Sequence, residues 1–237
     1  MLFKGKRKEA KFPSPNNRKN YADVIAECFI PCAKYILAGH FKVTKGDSIR
    51  NIYPTAIELY YHEEGSGRFK DPIMYHTNDR KLSEHEDYFS KRGIPELPYF
   101  PFGSFNPHTS GIDVTFENQN EHYRASFLIR EYDVEYLNRE GAGKKLHVKN
   151  STDIYDDMLL AGIPIVETDW IEWCDGERAL NEEEIVRKWR KNVADYRPKK
   201  GELGKWEKNP EGDKLFSSSE GRFAKCPFEW QFAKKKK

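Results

Sequence analysis

Short apolar runs, bounded by polar and turn-forming residues, predict several strands in this chain. Residues 52–61 are predicted to form one strand, with Pro54 marking a bulge or a sheet edge near its start. Residues 112–116 and 123–130 are predicted to form two more, joined as a hairpin by the polar residues 117–121. Further candidates are residues 41–43, a strand within 163–173, and residues 228–232.

Apolar residues at helical spacing, together with cap signals, predict helices between these strands. The first runs from about residue 20 to 37, and Pro31 should kink or split it because proline lacks the amide that a helix needs. A second helix is expected over 151–160, and an acidic start predicts a third over 181–196. Proline and aromatic residues at 95–107 predict a loop that packs against the core.

The strands and helices together predict an α+β fold, with a single domain whose curved, mostly antiparallel sheet is flanked by helices. This domain would span residues 21–237 and follow a basic flexible arm at residues 1–20. Residues 62–92 are polar, charged and rich in histidine, without a clear pattern. We expect a long loop there, and loops of that length are usually functional or disordered.

Composition leaves the predicted fold unchanged, but it limits the partners, compartments and metal sites that can be expected. A net charge of +2 gives no overall field for nucleic acid, so such a partner would need a local basic patch. No apolar run approaches the roughly 20 residues that span a bilayer, and no signal peptide is recognisable. We therefore expect a cytoplasmic protein with no membrane partner. The four cysteines form no metal-ligand pattern, so no metal is expected.

One acidic residue stands out of place in the apolar pattern. Glu58 lies inside the apolar run at residues 57–61, where an unpaired carboxylate would cost several kcal/mol. Arg130 ends another short apolar strand, so the two charges are expected to attract each other. A buried structural ion pair is the plain interpretation of Glu58, and the histidines and acids that accumulate directly after its strand count against that interpretation without excluding it.

The motifs around these charges resemble those of the alkyladenine (3-methyladenine) DNA glycosylase family. Glu58-Leu59-Tyr60 looks like the family's Glu-x-Tyr motif. Asp71-Pro72 followed by His76 is similar to its Asp-Pro-x-x-His segment, with one extra residue before the histidine. Residues 110–115 followed by 125–130 resemble its hairpin, which ends in an apolar-apolar-Arg strand.

The resemblance covers roughly residues 20–165 and implies two catalytic roles. Glu58 would be the general base that activates water. Arg130 would help to hold the glutamate and the water. An ionised carboxylate suits the oxocarbenium-like transition state of N-glycosidic bond cleavage, and a nearby guanidinium favours the charged form of that carboxylate.

The resemblance also implies a base-binding pocket. Tyr60 would form one wall, and His76 would form the other wall or bind water. Asp113 stands where the family has an asparagine that contacts the flipped base. Phe105 lies near the position of the family's wedging tyrosine and is the candidate for an apolar wedge in the DNA.

The activity implied is hydrolysis of the N-glycosidic bond of a modified or damaged purine, flipped out of double-stranded DNA, in base excision repair. No cofactor would be needed, and a monomer is expected. Two other classes stay open. A non-catalytic module would keep the pocket to bind a nucleotide or nucleic acid, whereas a hydrolase or lyase of another small molecule would use Glu58 and His76 as its acid/base pair.

Overall fold

The fold is known from a computed structural model. It describes residues 25–45, 47–67, 71, 74, 77–79, 97–137, 143–158, 170–188, 196–198, 206–208 and 231–236. The predicted basic arm at 1–20 and the predicted site residue His76 lie outside the described residues.

Strands dominate the described chain. In order they are β1 (His40–Lys45), β2 (Ser48–Glu63), β3 (Phe105–His108), β4 (Gly111–Thr115), β5 (Tyr123–Leu137), β6 (Gly143–Val148), β7 (Ile171–Cys174), β8 (Ile185–Lys188), β9 (Tyr196–Pro198), β10 (Trp206–Lys208) and β11 (Gln231–Lys234). Helix α1 (Ile30–Ala38) follows a π-type turn at Ile25–Phe29, and α2 (Ile154–Met158) is short. Among the described residues, neither helix is long and apolar enough to cross a membrane.

The described strands form one sheet of nine members and a separate pair, β9 with β10. The main order is β3-β4-β5-β2-β1-β7, and the pairings of the described strands are antiparallel. The long strands β2 and β5 pair along their whole length. Their outer edges are shared: β1 and β11 pair with different halves of β2, and β4 and β6 with different halves of β5. The prediction of a mostly antiparallel sheet is therefore confirmed.

The pairing of β2 with β5 is interrupted by an irregularity near the middle of both strands. The register of the pair shifts on both sides of Ala56, close to the predicted bulge at Pro54. Before this point Ile52 of β2 faces the core, and after it Ile57 does, so the core-facing positions change from even to odd numbers. Since side chains alternate strictly along a regular strand, such a change needs a bulge. The bulge prediction is confirmed.

Helix α1 covers the apolar face of the sheet. Its inner side buries Cys32, Ala33, Ile36 and Leu37. Phe29, just before it, meets Tyr61 of β2 edge to face, with ring centroids 6.4 Å apart. Pro31 lies in the first turn of α1, where its missing amide costs no hydrogen bond. The predicted interruption at Pro31 thus occurs as the change from a π-type turn to an α-helix.

The predicted helix over 181–196 is wrong in its described part. A single 3₁₀ turn at Glu182–Glu184 leads directly into strand β8. Asn181 and Glu184 form a capping box at this turn. The chain does not continue as a helix because β8 pairs with β11, a partner more than forty residues further along the chain.

Four further strands were not predicted, namely β3, β6, β9 and β10. Residues 105–108 form β3 at the edge of the sheet, where Pro107 is tolerated because an edge strand leaves some amides unpaired. Residues 143–148 form the exposed strand β6. The predicted strands at 41–43, 112–116 and 123–130 are confirmed, the last within the longer β5.

A buried arginine fastens the loop before β3 to the sheet. Arg124 is fully buried, with Nε 2.6 Å from Glu64 Oε1 and Nη1 2.9 Å from Glu117 Oε2. It also donates to the carbonyl oxygens of residues 97–98 at 2.7 and 2.9 Å and stacks on the Tyr99 ring. The described part of the predicted loop therefore packs on the protein as expected.

Removing this arginine should destabilise the fold strongly. Arg124→Met keeps the bulk but leaves two carboxylates without their cation, so we expect a loss of about 3–5 kcal/mol in the free energy of unfolding. Urea unfolding measures it. Arg178→Met is the matched control, since Arg178 pairs with Glu184 on the surface and its loss should change little. Equal effects of the two variants would contradict the role of Arg124.

The cluster around Arg124 should also make the stability of the fold depend on pH. Burial alone would raise the pKa of Glu64, but hydrogen bonds from the Asn78 amide, Tyr99 and Arg124 hold it below the usual value. A lowered pKa adds stability above the unfolded value of about 4.3, and this is lost as pH falls through the native value. Glu64→Gln should therefore cost stability at pH 7, and the difference from wild type should shrink in acid. A difference that stays constant in urea unfolding across pH would argue against this.

Candidate active site

Strand β2 is buried on both faces beyond the bulge, and the two faces differ in chemistry. Ile57, Leu59 and Tyr61 belong to the main core under α1. Glu58 and Tyr60 point to the opposite side because side chains alternate along a strand. Glu58 is 0% exposed and Tyr60 is 7% exposed. The acid that looked out of place therefore lies in a second buried layer, outside the main core.

This second layer combines apolar and polar side chains. Tyr60, Met74 and Leu128 form its small apolar cluster. Strand pairing adds polar neighbours on the same face, because Tyr60 lies opposite Ser126 and Leu128 lies opposite both Glu58 and Asp113. The layer is thus a row of facing positions that crosses β2, β5 and β4.

One oxygen of Glu58 is held firmly. Its Oε2 accepts hydrogen bonds from Arg130 Nη2 at 2.5 Å and from the Tyr60 hydroxyl at 2.9 Å. The other oxygen, Oε1, is buried but has no hydrogen-bond partner among the described residues. The hydroxyl of Ser126, on the same face, is in the same situation. Buried polar atoms normally have partners, so these two point to a bound polar group or water.

The bulge brings Arg130 to Glu58. Ile129 is the last β5 residue before the register shift, and the partner of Ala56 is Glu131, so Arg130 has no residue directly opposite it. A bulge releases a side chain from the regular alternation and re-aims it. The guanidinium ends beside Glu58 with its side chain only 15% exposed.

Arg130 stays cationic in this setting. Burial alone would lower the pKa of Arg130, but the hydrogen bond to Glu58 and the negative charges nearby raise it above its ordinary value. Tyr60, Glu58 and Asp113 all contribute to that rise. The expected ion pair between Glu58 and Arg130 is present.

Asp113 lies on the same face, two strands from Glu58. It is 4% exposed, and its Cα partner Leu128 is also the Cα partner of Glu58. Its Oδ1 lies 3.4 Å from Nε2 of His108, at the end of β3. The structure therefore brings Glu58, Tyr60, Arg130 and Asp113 into one layer, and His108 lies beside Asp113.

Phe105 is not at the surface, which corrects the prediction that it serves as a wedge. It is 2% exposed in the main core, and its ring centroid is 6.0 Å from that of Phe41. Its strand partner is Val114, another core residue, whereas the next residue, Asn106, pairs with Asp113 and shares the site face. Side chains alternate between the two faces along β3, so the pairing of β3 with β4 decides which of them faces the site.

A hydrogen-bond network attaches the described part of the Asp-Pro segment to β2. His62 is fully buried, and its Nδ1 accepts the Asp71 amide at 3.1 Å. In the neutral ring the proton therefore lies on Nε2, which faces Asp79 Oδ2 at 3.1 Å. No role had been predicted for His62 or Asp79 beyond the excess of histidines and acids after the strand. They position the segment that contains Met74.

Comparison with known proteins adds no family to this picture, since no protein-family model and no curated protein matches the chain. The function must therefore be argued from the site itself.

The Glu58–Arg130 pair should be strongly coupled. Arg130→Met leaves a buried carboxylate with one partner, so we expect a loss of roughly 3 kcal/mol, and the double variant with Glu58→Gln should lose less than the sum of the single changes. Urea unfolding of the four proteins measures the coupling. The same cycle on the more accessible pair Lys145 and Asp133 should give under about 1 kcal/mol. Additive losses at Glu58 and Arg130 would show that the pair does not hold the carboxylate.

Proposed function

We propose that this protein is a DNA glycosylase-like hydrolase, which cleaves the N-glycosidic bond of a modified or damaged purine flipped out of double-stranded DNA. The observation that carries the proposal is the state of Glu58. One carboxylate oxygen is fixed by Arg130 and Tyr60, and the other is buried without a partner among the described residues. Such a carboxylate is suited to orient and deprotonate a single water molecule.

The ion pair and the catalytic role support each other. A buried glutamate would take up a proton to escape the cost of an unsolvated charge, and a protonated carboxyl cannot act as a base. The Arg130 guanidinium supplies the opposite charge beside Glu58 while occupying only one of its oxygens. As the C1′–N9 bond weakens, that negative charge also stabilises the oxocarbenium-like sugar.

In this proposal the planar base is bound in the second layer. Tyr60, Met74 and Leu128 form a buried apolar cluster there, and the Tyr60 hydroxyl contacts the Glu58 carboxylate. Stacking on such groups offsets the few kcal/mol that unstacking a base costs. The bond from the Tyr60 hydroxyl to Glu58 fixes the ring, so in this proposal Tyr60 both lines the pocket and positions the base catalyst. The role of His76 in the pocket remains part of the proposal.

One observation favours a second candidate. Phe105 is packed in the core, so it is not available as the apolar wedge that fills the gap left by a flipped nucleotide. A hydrolase that takes its purine nucleoside from single-stranded nucleic acid or from solution has no need of a wedge. A strong preference for a free nucleoside over the duplex would support this candidate over the first.

The proposal predicts a specific loss of activity in Glu58→Gln. The wild type should convert duplex DNA with one hypoxanthine into abasic sites. The variant should form abasic sites at least about 100-fold more slowly because it has no general base. Binding of the duplex at about 50 mM salt should change little, since phosphate contacts dominate affinity there. Alkaline cleavage of abasic sites and a gel-shift assay provide the two readings.

Glu63→Gln is a matched control on the same strand. Glu63 is buried and accepts a hydrogen bond from Tyr61 at 2.9 Å, which repeats the Tyr60–Glu58 pair on the opposite face. It should keep wild-type activity. Binding without any abasic product would instead indicate a non-catalytic module, and equal losses in both variants would refute the special role of Glu58.

A further inference from the structure

The face of the sheet that carries Glu58 continues across two strands from the C-terminal region, β11 and β8. Glu58 lies opposite Gln231 of β11, and Gln231 lies opposite Lys188 of β8. Residues directly opposite each other in antiparallel strands share a face, so these three side chains form one row. The next residue agrees with this placement, because Phe232 pairs with Ile57 and is fully buried in the main core on the other face.

Exposure increases along this row. Glu58 is fully buried, Gln231 is half-buried and Lys188 is exposed. Neighbouring strands lie about 4.8 Å apart, so the backbone of Lys188 is roughly 10 Å from that of Glu58. The flexible four-carbon stem of a lysine lets its ammonium group reach back over part of that distance. The ammonium of Lys188 is therefore placed to contact the same small ligand as Glu58.

The positive charge of Lys188 is available to such a ligand. Within the described part of the chain, its ammonium forms no ion pair, and the partner of the Glu58 carboxylate is Arg130 at 2.5 Å. The neutral amide of Gln231 lies between the two charges. Lys188 also belongs to the basic run at residues 187–191, which carries four cations. Lysine binds phosphate as a point charge, so this end of the row suits a phosphate group.

The order of groups along the row matches the order of groups in a nucleotide. Leu128 and Gln231 flank Glu58 on its two sides, and Leu128 belongs to the small apolar cluster. Glu58, whose Oε1 is buried without a partner among the described residues, thus lies between apolar side chains and a cation. A nucleotide has an apolar base, then the glycosidic bond, then a charged phosphate that needs solvent or a cation. The apolar cluster, Glu58 and Lys188 fit these three parts in turn.

We propose that Lys188 binds the phosphate of the nucleotide whose base occupies the second layer, so that β11 and β8 add a phosphate subsite beside Glu58. This inference rests on the proposed function. The substrate is then a phosphorylated nucleoside, either within a strand or free. Because the phosphate takes no part in breaking the glycosidic bond, Lys188 contributes to binding of the substrate and is not a catalytic residue.

Removal of one phosphate charge tests the contact directly. The substrates are a duplex with one deoxyinosine and two copies in which the phosphate on the 5′ or the 3′ side of that nucleotide is a neutral methylphosphonate. On the normal duplex Lys188→Gln should raise KM about tenfold and leave kcat nearly unchanged, since the contact is the same in the ground and transition states. On the duplex that lacks the contacted phosphate, the wild type should show a similar rise and the variant no further rise.

Two further variants show that the effect belongs to the charge at this position. Lys188→Arg keeps a cation and should restore most of the wild-type KM. Lys144→Gln is the matched control, because Lys144 is also exposed but lies on β6, which pairs with β5 beyond the bulge. It should leave KM unchanged on all three duplexes. Urea unfolding should give the same midpoint for the three variants and the wild type, since both lysines are exposed.

Deoxyinosine and deoxyinosine 5′-monophosphate distinguish the two sources of the phosphate. A lower KM for the monophosphate than for the nucleoside, lost in Lys188→Gln, would support the subsite with a free nucleotide as its ligand. A dependence on Lys188 that is seen only with the duplexes would support the subsite with a strand phosphate as its ligand.

The remaining outcomes separate the subsite from the proposed function. An unchanged KM in Lys188→Gln, or a rise of equal size on all three duplexes, overturns the phosphate subsite and leaves the glycosylase proposal intact. If the wild type releases hypoxanthine from none of these substrates, the proposed function is wrong, and the subsite is overturned with it.

Discussion

The ion pair between Glu58 and Arg130 is the interaction on which the arrangement of the site depends, and it exists because of an irregularity shared by β2 and β5. The register shift around Ala56 lets both strands keep their apolar side chains in the main core on either side of the bend. It also turns Arg130 toward Glu58. In a regular ladder every residue of β5 would have a partner directly opposite on β2, and Arg130 would not be turned toward Glu58. The same bulge therefore shapes both the core and the site.

Beyond its bulge, β2 is buried on both faces of the sheet, and the two layers differ in chemistry. The layer under α1 is almost wholly apolar and supplies most of the hydrophobic burial. The other layer holds Glu58, Arg130 and Asp113 beside a small apolar cluster, and Arg124 anchors the loop at its edge. Buried charges contribute little net stability, but they become strongly destabilising when a partner is lost.

Local signals in the sequence predicted much of the fold. Apolar runs gave β2 and the β4–β5 hairpin, and the prolines gave the bulge near Pro54 and the break at Pro31. The helix predicted from residue 181 failed because pairing of β8 with β11 joins segments far apart in sequence. The ion pair was predicted because two charges interrupting apolar strands need each other. Phe105 and His108 were misjudged or missed because strand pairing alone decides which face a side chain reaches.

The central claim is that Glu58 is an ionised carboxylate inside a buried site, held by one oxygen. Infrared difference spectroscopy between the wild type and Glu58→Gln at neutral pH tests this most directly. The account predicts that the variant loses a carboxylate stretching band, and that this band shifts when Arg130→Met removes the guanidinium. Loss of a protonated carboxyl band instead would contradict the account, because a protonated Glu58 has no capacity to accept a proton from water.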